Sequence, residues 1–205
     1  MKLTWPAPER NKGPILEVLG GVLPPSGVAL ELASGTGQHA QHFVDHLHGW
    51  TWHPSDPDPA NLASIQARVD ERQGDRLRPP LNLDVTAREW GAPMVNLLYC
   101  ANLVHIAPWA CVEGLWAGAA RHVLADGQVV LYGPYRIGGQ HTAPSNQSFD
   151  ESLRARDESW GVRDLEEVEE VANRHGFSLS QRIPMPANNQ SLVFHREPDS
   201  SGQAR

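Results

Sequence analysis

Between residues 28 and 133 the chain alternates between two spacings of apolar residues: short continuous runs, and stretches in which apolar residues recur every three or four positions. This alternation predicts strands joined by helices, and therefore βαβ units and a parallel sheet. The predicted strands lie near residues 29–32, 51–53, 81–85, 95–100 and 129–132. The predicted helices lie near residues 38–47, 59–69 and 108–123, and Asp126–Gly127 is expected to form the turn after the last of them. Ile15, Leu16 and Leu19 indicate an earlier helix, which Gly20–Gly21 and Pro24–Pro25 are expected to end.

The pattern changes after residue 133. Residues 133–163 are polar and rich in loop-forming residues, which predicts a functional insert or lid. Asp164–Glu167 resembles a capping box for a helix that ends at Gly176. Two alternating segments follow, at 177–183 and 190–194, and predict a pair of antiparallel strands.

Together these elements predict an α/β fold. We expect a Rossmann-like, seven-stranded, mostly parallel sheet with helices on both faces and a C-terminal antiparallel strand pair. One domain is expected over residues 1–197. The polar residues 198–205 are predicted to be a disordered tail.

The composition of the chain argues against several classes of function. The chain has 205 residues and a formal net charge of -7, which argues against tight binding to nucleic acid. Its two cysteines do not form a disulfide framework, so a reduced, cytoplasmic protein is expected. No apolar run reaches the length of a membrane span, and the sequence starts without a signal peptide. A small-molecule partner is therefore favoured, and the oligomeric state is left open.

The most informative segment is the turn of small residues at Ala33–Gly37, between a predicted strand and a predicted helix. A glycine turn that leads into a helix N-terminus is typical of nucleotide cradles in α/β proteins. Two ligand classes fit it, a dinucleotide and S-adenosylmethionine. Glu31 favours the second, because a carboxylate at the strand end repels a pyrophosphate and attracts an ammonium group. Three other features also favour S-adenosylmethionine. They are the two residues before Gly35, the lack of a second catalytic domain and the C-terminal strand pair.

This arrangement resembles the class I S-adenosylmethionine-dependent methyltransferases, whose first motif reads approximately E-x-G-x-G-x-G. The motif here is Glu31–Gly37, with Ala33 in place of the first glycine. Five further runs resemble a methyltransferase-like family called domain of unknown function 938: residues 9–12, 54–58, 138–140, 152–157 and 186–189. That resemblance implies a fold and a cofactor, and it leaves the acceptor undefined.

The superfamily resemblance also implies a donor site. Asp56 would accept the ribose hydroxyls, while the neighbouring Asp58 is better suited to cap a helix. Asp84 and Val85 would meet the adenine, and Ala101 or Asn102 the methionine portion. Asn11 would belong to an N-terminal cover. The full predicted cofactor set is Glu31, Ala33, Ser34, Gly35, Gly37, Asp56, Asp84, Val85, Ala101, Asn102 and Asn11.

Residues that follow the fourth and fifth strands are candidates for the chemistry. His105 and Tyr135 are the predicted catalytic residues, because each carries a group able to take a proton from the molecule that receives the methyl group. The predicted substrate-binding residues are Arg136, His141, Trp160 and Asn189. Arg136 would indicate an anionic acceptor.

His39, His42 and His46 share one helical face, which we interpret as a solvated polar surface and not as a metal site. The leading hypothesis is therefore a methyltransferase that acts on a small molecule with S-adenosylmethionine as donor. A non-catalytic protein that binds the same ligand or a partner is the alternative. A nicotinamide-dependent oxidoreductase is the third possibility.

Overall fold

The predicted seven-stranded sheet is present in the computed structural model, which describes residues 1–196. The predicted tail at 198–205 lies outside the described residues. The strands are β1 (Gly27–Leu32), β2 (Trp50–Asp56), β3 (Leu81–Asn82), β4 (Val95–Ala101), β5 (Val123–Gly133), β6 (Arg136–Ile137), β7 (Gln140–His141), β8 (Phe177–Met185) and β9 (Asn189–Arg196). The order across the main sheet is β3-β2-β1-β4-β5-β9-β8, and β6 and β7 form a separate hairpin. Strands β1 to β5 are parallel, while β9 is antiparallel to both β5 and β8.

Six α-helices surround the sheet within residues 1–196. They are α1 (Pro6–Val22), α2 (Gln38–His46), α3 (Pro59–Asp70), α4 (Trp109–His122), α5 (Pro144–Arg156) and α6 (Leu165–Arg174). Successive residues of a strand point to opposite faces. Leu98 and Cys100 accordingly belong to the apolar core that includes residues of α4 and α6, whereas Leu97 and Tyr99 belong to the core that includes residues of α1 and α2. Within residues 1–196, no helix combines the length and apolarity needed to cross a bilayer.

Some predicted boundaries differ from those of the structure. Helix α1 ends at Val22, between the two predicted stops: it continues through Gly20 and Gly21, because the buried side chains of Ile15 and Leu19 hold it against the sheet, and it ends before Pro24–Pro25. A turn was expected at 126–127, but these residues lie inside β5, where the register against β4 shifts. The third strand spans only two residues, shorter than the predicted 81–85.

The insert at 133–163 has more regular structure than its composition indicates, since it contains the β6–β7 hairpin and α5. The predicted capping box at the start of α6 is not formed. Asp164 is the N-cap residue, but its side chain makes no capping hydrogen bond, and its carboxylate lies 3.7 Å from Arg136 Nε. Glu166 instead accepts from the backbone N–H of Gly138, which ties α6 to the hairpin.

Candidate functional site

The turn after β1 depends on left-handed backbone conformations. Ala33, Gly35 and Gly37 have φ values of 50°, 55° and 79°. A Cβ atom on Gly35 would lie 2.8 Å from the ring of Trp5, and one on Gly37 would lie 2.9 Å from Ile65. Glycine is therefore required at both positions, for space as well as for backbone conformation. Ala33 adopts the same conformation with a side chain, which is unfavourable for a non-glycine residue.

Asp56 lies at the end of β2 and is only 4% exposed. Its Oδ2 accepts from the backbone N–H of Gly35 at 2.9 Å. Its Oδ1 accepts from the backbone N–H of Asp58 at 2.9 Å and from Asn61 Nδ2 at 3.1 Å. Since each carboxylate oxygen has two lone pairs, Oδ2 can accept one more hydrogen bond. The second carboxylate, Asp58, accepts from the N–H groups of Ala60 and Asn61 and caps α3, as the sequence predicts.

The N-terminal segment covers the glycine turn. Gln38, at the start of α2, joins the two: its Oε1 accepts from Trp5 N at 2.7 Å, and its Nε2 donates to Glu9 at 2.6 Å. Arg68 on α3 donates through Nη2 to Leu3 O and through Nε to Thr36 O. These contacts hold the Trp5 indole over Gly35, although the indole itself remains 46% exposed.

Beneath this cover lies a cavity of about 290 Å³, which we call the donor cavity. Its lining combines the glycine turn, the ends of β2 and β4 and the start of α1. The lining residues are Trp5, Ala7, Pro8, Asn11, Ala33, Ser34, Gly35, His39, Asp56, Asn61, Ala101, Asn102, Leu103 and Ile106. Seven of the residues predicted to bind the cofactor are among them: Asn11, Ala33, Ser34, Gly35, Asp56, Ala101 and Asn102.

The other four residues of the predicted cofactor set do not line this cavity. Gly37 packs on α3. Asp84 accepts from the backbone N–H and the hydroxyl of Thr86, so its visible contacts are those of a turn. Val85 is buried in the core. The adenine role of Asp84 and Val85 therefore stays a prediction.

Glu31 is the fourth of these residues, and it is enclosed by protein. Its side chain is 2% exposed, and Oε2 accepts from Trp52 Nε1 at 2.7 Å. Burial raises the pKa of Glu31 to about 8, although the bond from Trp52 lowers the pKa and opposes that effect. At neutral pH the carboxyl group is mostly protonated. The contact expected between Glu31 and the ammonium group of the ligand stays a prediction, and Glu31 itself does not line the donor cavity.

His39 was predicted to belong to a solvated face, and that prediction was wrong. The ring is buried, lines the donor cavity and stacks on Phe43. Its Nδ1 lies 3.9 Å from Glu31 Oε1, and its Nε2 lies 2.7 Å from Asn11 Oδ1. Burial lowers the pKa of His39 to about 3, so the pair with Glu31 is neutral and not ionic. A neutral ring whose Nε2–H donates to Asn11 fixes that amide at the cavity wall.

A second cavity, of about 270 Å³, adjoins the first, and we call it the acceptor cavity. Ala7, Asn11 and Asn102 line both. The remaining lining residues are Arg10, Pro14, Tyr132, Pro134, Ser145, Asn146, Phe149, Pro186, Ala187 and Asn189. Asn102, at the junction, has a left-handed backbone with φ of 63°, immediately after β4.

The two predicted catalytic residues lie behind these cavities. His105 and Tyr135 are both fully buried, and their rings contact each other edge to face with centroids 4.7 Å apart. His105 Nδ1 accepts from the backbone N–H of Arg163 at 3.2 Å, and burial lowers the pKa of this histidine to about 3. Burial also raises the pKa of Tyr135. Neither residue lines either of the two cavities, so their catalytic role stays a prediction.

Among the four predicted substrate-binding residues, only Asn189 lines the acceptor cavity. Arg136 lies 3.7 Å from the carboxylate of Asp164. His141 lies 3.6 Å from that of Asp150, which also accepts from Arg154. Trp160 lies against the guanidinium of Arg156 at 5.0 Å. Arg136, His141 and Trp160 each contact a charged side chain, and none of the three is among the residues that line the acceptor cavity.

Sequence reasoning missed several residues that line the cavities, notably Trp5, His39, Asn61 and Asn146. Trp5 carried one usable signal, since a tryptophan in a polar N-terminal segment is unusual unless it packs on something. Within residues 1–196, no cluster of three or more histidine, cysteine or acidic side chains is arranged to hold a metal ion.

Several solved structures with similar folds are methyltransferases. An O-methyltransferase family protein from Burkholderia thailandensis aligns with a TM-score of 0.79 and 14% identity over 94% of this chain and 58% of its own. Human N-acetylserotonin methyltransferase in complex with SAM gives 0.74 and 13%, over 93% and 53%. An O-methyltransferase family 2 protein from Planctomyces limnophilus in complex with apigenin gives 0.69 and 18%, over 90% and 61%. This chain therefore has the class I methyltransferase fold and spans little more than half the length of these proteins.

A family model described as "Protein of unknown function (DUF938)" matches residues 2–196, almost the whole chain. Its span includes the glycine turn, both cavities and the C-terminal strand pair. The chain therefore belongs to the DUF938 family and builds its candidate site on a class I methyltransferase fold.

Proposed function

We propose that this protein is an S-adenosylmethionine-dependent methyltransferase that acts on a small-molecule acceptor. The observation that carries the proposal is the pair of adjoining cavities, one under the glycine turn and one beside it, which share Asn11 and Asn102. A group-transfer enzyme needs two neighbouring sites of this kind, because donor and acceptor must be held in line with each other.

The residues of the donor cavity suit an adenosyl sulfonium. The free lone pair on Asp56 Oδ2 would accept one ribose hydroxyl, and Asn61, which also lines the cavity, would bind the other. Ala33, Ser34 and Gly35 offer a wall of small residues against which the methionine portion could lie. The lining contains no lysine or arginine, so it offers no cation to a pyrophosphate.

The glycine turn also disfavours a dinucleotide. In dinucleotide sites the backbone N–H groups of this turn face the phosphates. Here the N–H of Gly35 already donates to Asp56, and a buried carboxylate at that place repels a second anion. The nicotinamide alternative is therefore the weaker one.

When bound, the donor would supply an activated methyl group on a good leaving group, so the protein's task is mainly positioning. The neutral His39 ring fixes the Asn11 amide between the two cavities. Trp5, Leu103 and Ile106 shield the donor cavity from water. Asn102 is held by its backbone, since its N–H donates to Tyr132 O and its carbonyl accepts from His105 and Ile106. Alignment of this kind can contribute roughly 7–11 kcal/mol to catalysis in favourable cases.

The test is calorimetric titration with S-adenosylmethionine and, separately, with NAD. Asp56→Ala should weaken S-adenosylmethionine binding at least about tenfold, because it removes a charge-assisted hydrogen bond of roughly 1.5–3 kcal/mol. Asp58→Ala is the matched control: it removes a carboxylate two positions away that caps α3 and lies outside the cavity, so donor affinity should change little.

Binding of NAD in preference to the methyl donor would overturn the proposal. So would equal loss of affinity in the two variants, since that would indicate a general effect on folding. Transfer of labelled methyl groups to components of a metabolite extract then separates an enzyme from a non-catalytic binder.

A further inference from the structure

We infer that the acceptor is a small organic acid with a flat apolar body and a nucleophilic hydroxyl or amine, and that Arg10 binds its acid group. This inference rests on the proposed function, because it assigns the occupant of the acceptor cavity. Arg10 is the sole charged residue among those that line this cavity. The lining contains no carboxylate, so the cavity has a net positive charge.

Arg10 is free to bind a ligand. It makes no ion pair and no hydrogen bond through its side chain with any residue between 1 and 196, unlike Arg136 and Arg154, which lie beside Asp164 and Asp150. Burial raises the pKa of Tyr132 in the cavity wall, and a hydrogen bond with Asn11 and the charge of Arg10 oppose that rise. A guanidinium left unpaired beside an apolar cavity is suited to a carboxylate, which it can bind through two parallel hydrogen bonds.

The side-chain amides of Asn146 and Asn189 line the acceptor cavity and can accept hydrogen bonds from a ligand. Asn146 is 4% exposed, and its Nδ2 donates to Thr142 Oγ1 at 3.0 Å and to Asn188 O at 2.9 Å. Asn189 Nδ2 donates to the carbonyls of Pro186 and Ala187. Because protein acceptors occupy the N–H groups of both, the oxygens remain for a ligand O–H or N–H.

The loop that carries Asn189 is held in an unfavourable conformation. Ala187 and Asn188 both have left-handed backbones, with φ of 57° and 59°. Non-glycine residues in this region cost free energy and are concentrated at functional sites. Asn146 pins this loop to α5 through the carbonyl of Asn188, so the two amides form one rigid side of the cavity.

The lining also contains several planar or rigid rings. Phe149, Tyr132 and the prolines at 14, 134 and 186 line the same cavity as Arg10 and the two amides. Such surfaces suit an aromatic or conjugated ring. The cavity therefore offers one cation, two hydrogen-bond acceptors and an apolar slot, which complements a hydroxy- or amino-substituted aromatic acid.

For such an acceptor the transfer balances without a further reactant. The hydroxyl oxygen or amine nitrogen forms a bond to the methyl carbon as the carbon–sulfur bond breaks, and that electron pair remains on sulfur. The proton lost by the hydroxyl or amine passes to water at the cavity mouth. The carboxylate held by Arg10 takes no part in the bond changes.

The experiment uses ring-substituted hydroxybenzoates and aminobenzoates, each paired with the corresponding neutral benzamide. Binding to the full-length protein is measured by ligand-observed NMR at neutral pH with saturating S-adenosylhomocysteine. Benzoates should bind more tightly than their benzamides. Arg10→Gln should weaken benzoate binding about tenfold or more and remove this preference. Arg10→Lys should retain part of it, and Arg136→Gln, the control, should leave it unchanged.

Calorimetry with S-adenosylhomocysteine on the same proteins separates the two proposals. Donor binding without a preference for benzoates, or a preference that survives in Arg10→Gln, would overturn the acid-binding inference alone. Failure of benzoates to bind at all would overturn it too. A benzoate preference that requires Arg10, in a protein that does not bind the donor, would support an anion site and overturn the methyltransferase proposal.

Discussion

Replacing Glu31 by glutamine should stabilise the protein, and by an amount that depends on pH. The buried carboxyl has a pKa of about 8, against an ordinary value of 4.5. Between those two values the folded protein holds a proton that the unfolded chain has released. The stability linked to this proton is fully present below pH 4.5 and is lost as the pH rises through 8.

The size of the effect follows from the same two values. Each pH unit between 4.5 and about 8 corresponds to about 1.36 kcal/mol, so the penalty at pH 8 is on the order of 4 kcal/mol. Glutamine carries no charge and keeps an oxygen to accept from Trp52 Nε1. The variant should therefore unfold on the order of 10 °C higher than wild type at pH 8 and at nearly the same temperature at pH 5.

Thermal unfolding followed by calorimetry or circular dichroism at pH 5, 6, 7 and 8 measures this difference. Glu170→Gln is the control, because Glu170 lies on the exposed side of α6. The reasoning is refuted if Glu31→Gln is less stable than wild type throughout, or if the difference does not grow with pH. Either result would mean that Glu31 is ionised in the folded protein.

Three further changes test the site. Gly35→Ala should abolish donor binding and destabilise the protein, because its Cβ would lie 2.8 Å from Trp5 at a positive φ; calorimetry and thermal unfolding check this. Arg68→Met should release the N-terminal cover, which hydrogen exchange at residues 3–5 would report as faster exchange, whereas unchanged exchange would mean that the bonds to Gln38 and Ser64 hold it without Arg68. Asp58→Ala should cost about 1 kcal/mol of stability by uncapping α3, with urea unfolding as the measurement; no loss would contradict the capping role.

The sequence was most informative where one local rule decides the structure. Apolar runs and helical spacing predicted most of the strands and helices, and the glycine turn marked the donor cavity, because these depend on neighbours along the chain. Asp58 was correctly chosen as a cap over a ligand group, since Asp-Pro at a helix start has one dominant use.

The failures concern residues whose surroundings come from distant parts of the chain. His39 was assigned to solvent from its helical face, but α1 covers that face through Asn11. Arg136 was chosen to bind an anion because it follows β5, yet a carboxylate from the start of α6 meets it. We propose Arg10 for that role instead, and its position could not be read from local spacing, because residues of α1, α5 and the loop before β9 line the same cavity.

His105 illustrates the same limit. A histidine just after β4 is well placed in sequence for proton transfer, but the segment at 161–163 closes over it through backbone bonds to its carbonyl and to Nδ1. The spacing of residues near His105 cannot reveal its contact with Arg163, which lies almost sixty positions away in the chain.

The central claim is that the cavity under the glycine turn binds the adenosyl sulfonium donor, and a crystal structure with S-adenosylhomocysteine tests it most directly. The account predicts the ribose within hydrogen-bonding distance of Asp56 Oδ2 and Asn61, the sulfur near the junction formed by Asn11 and Asn102, and Trp5 over the ligand. Ligand density elsewhere on the protein, or a ribose that contacts neither Asp56 nor Asn61, would contradict it.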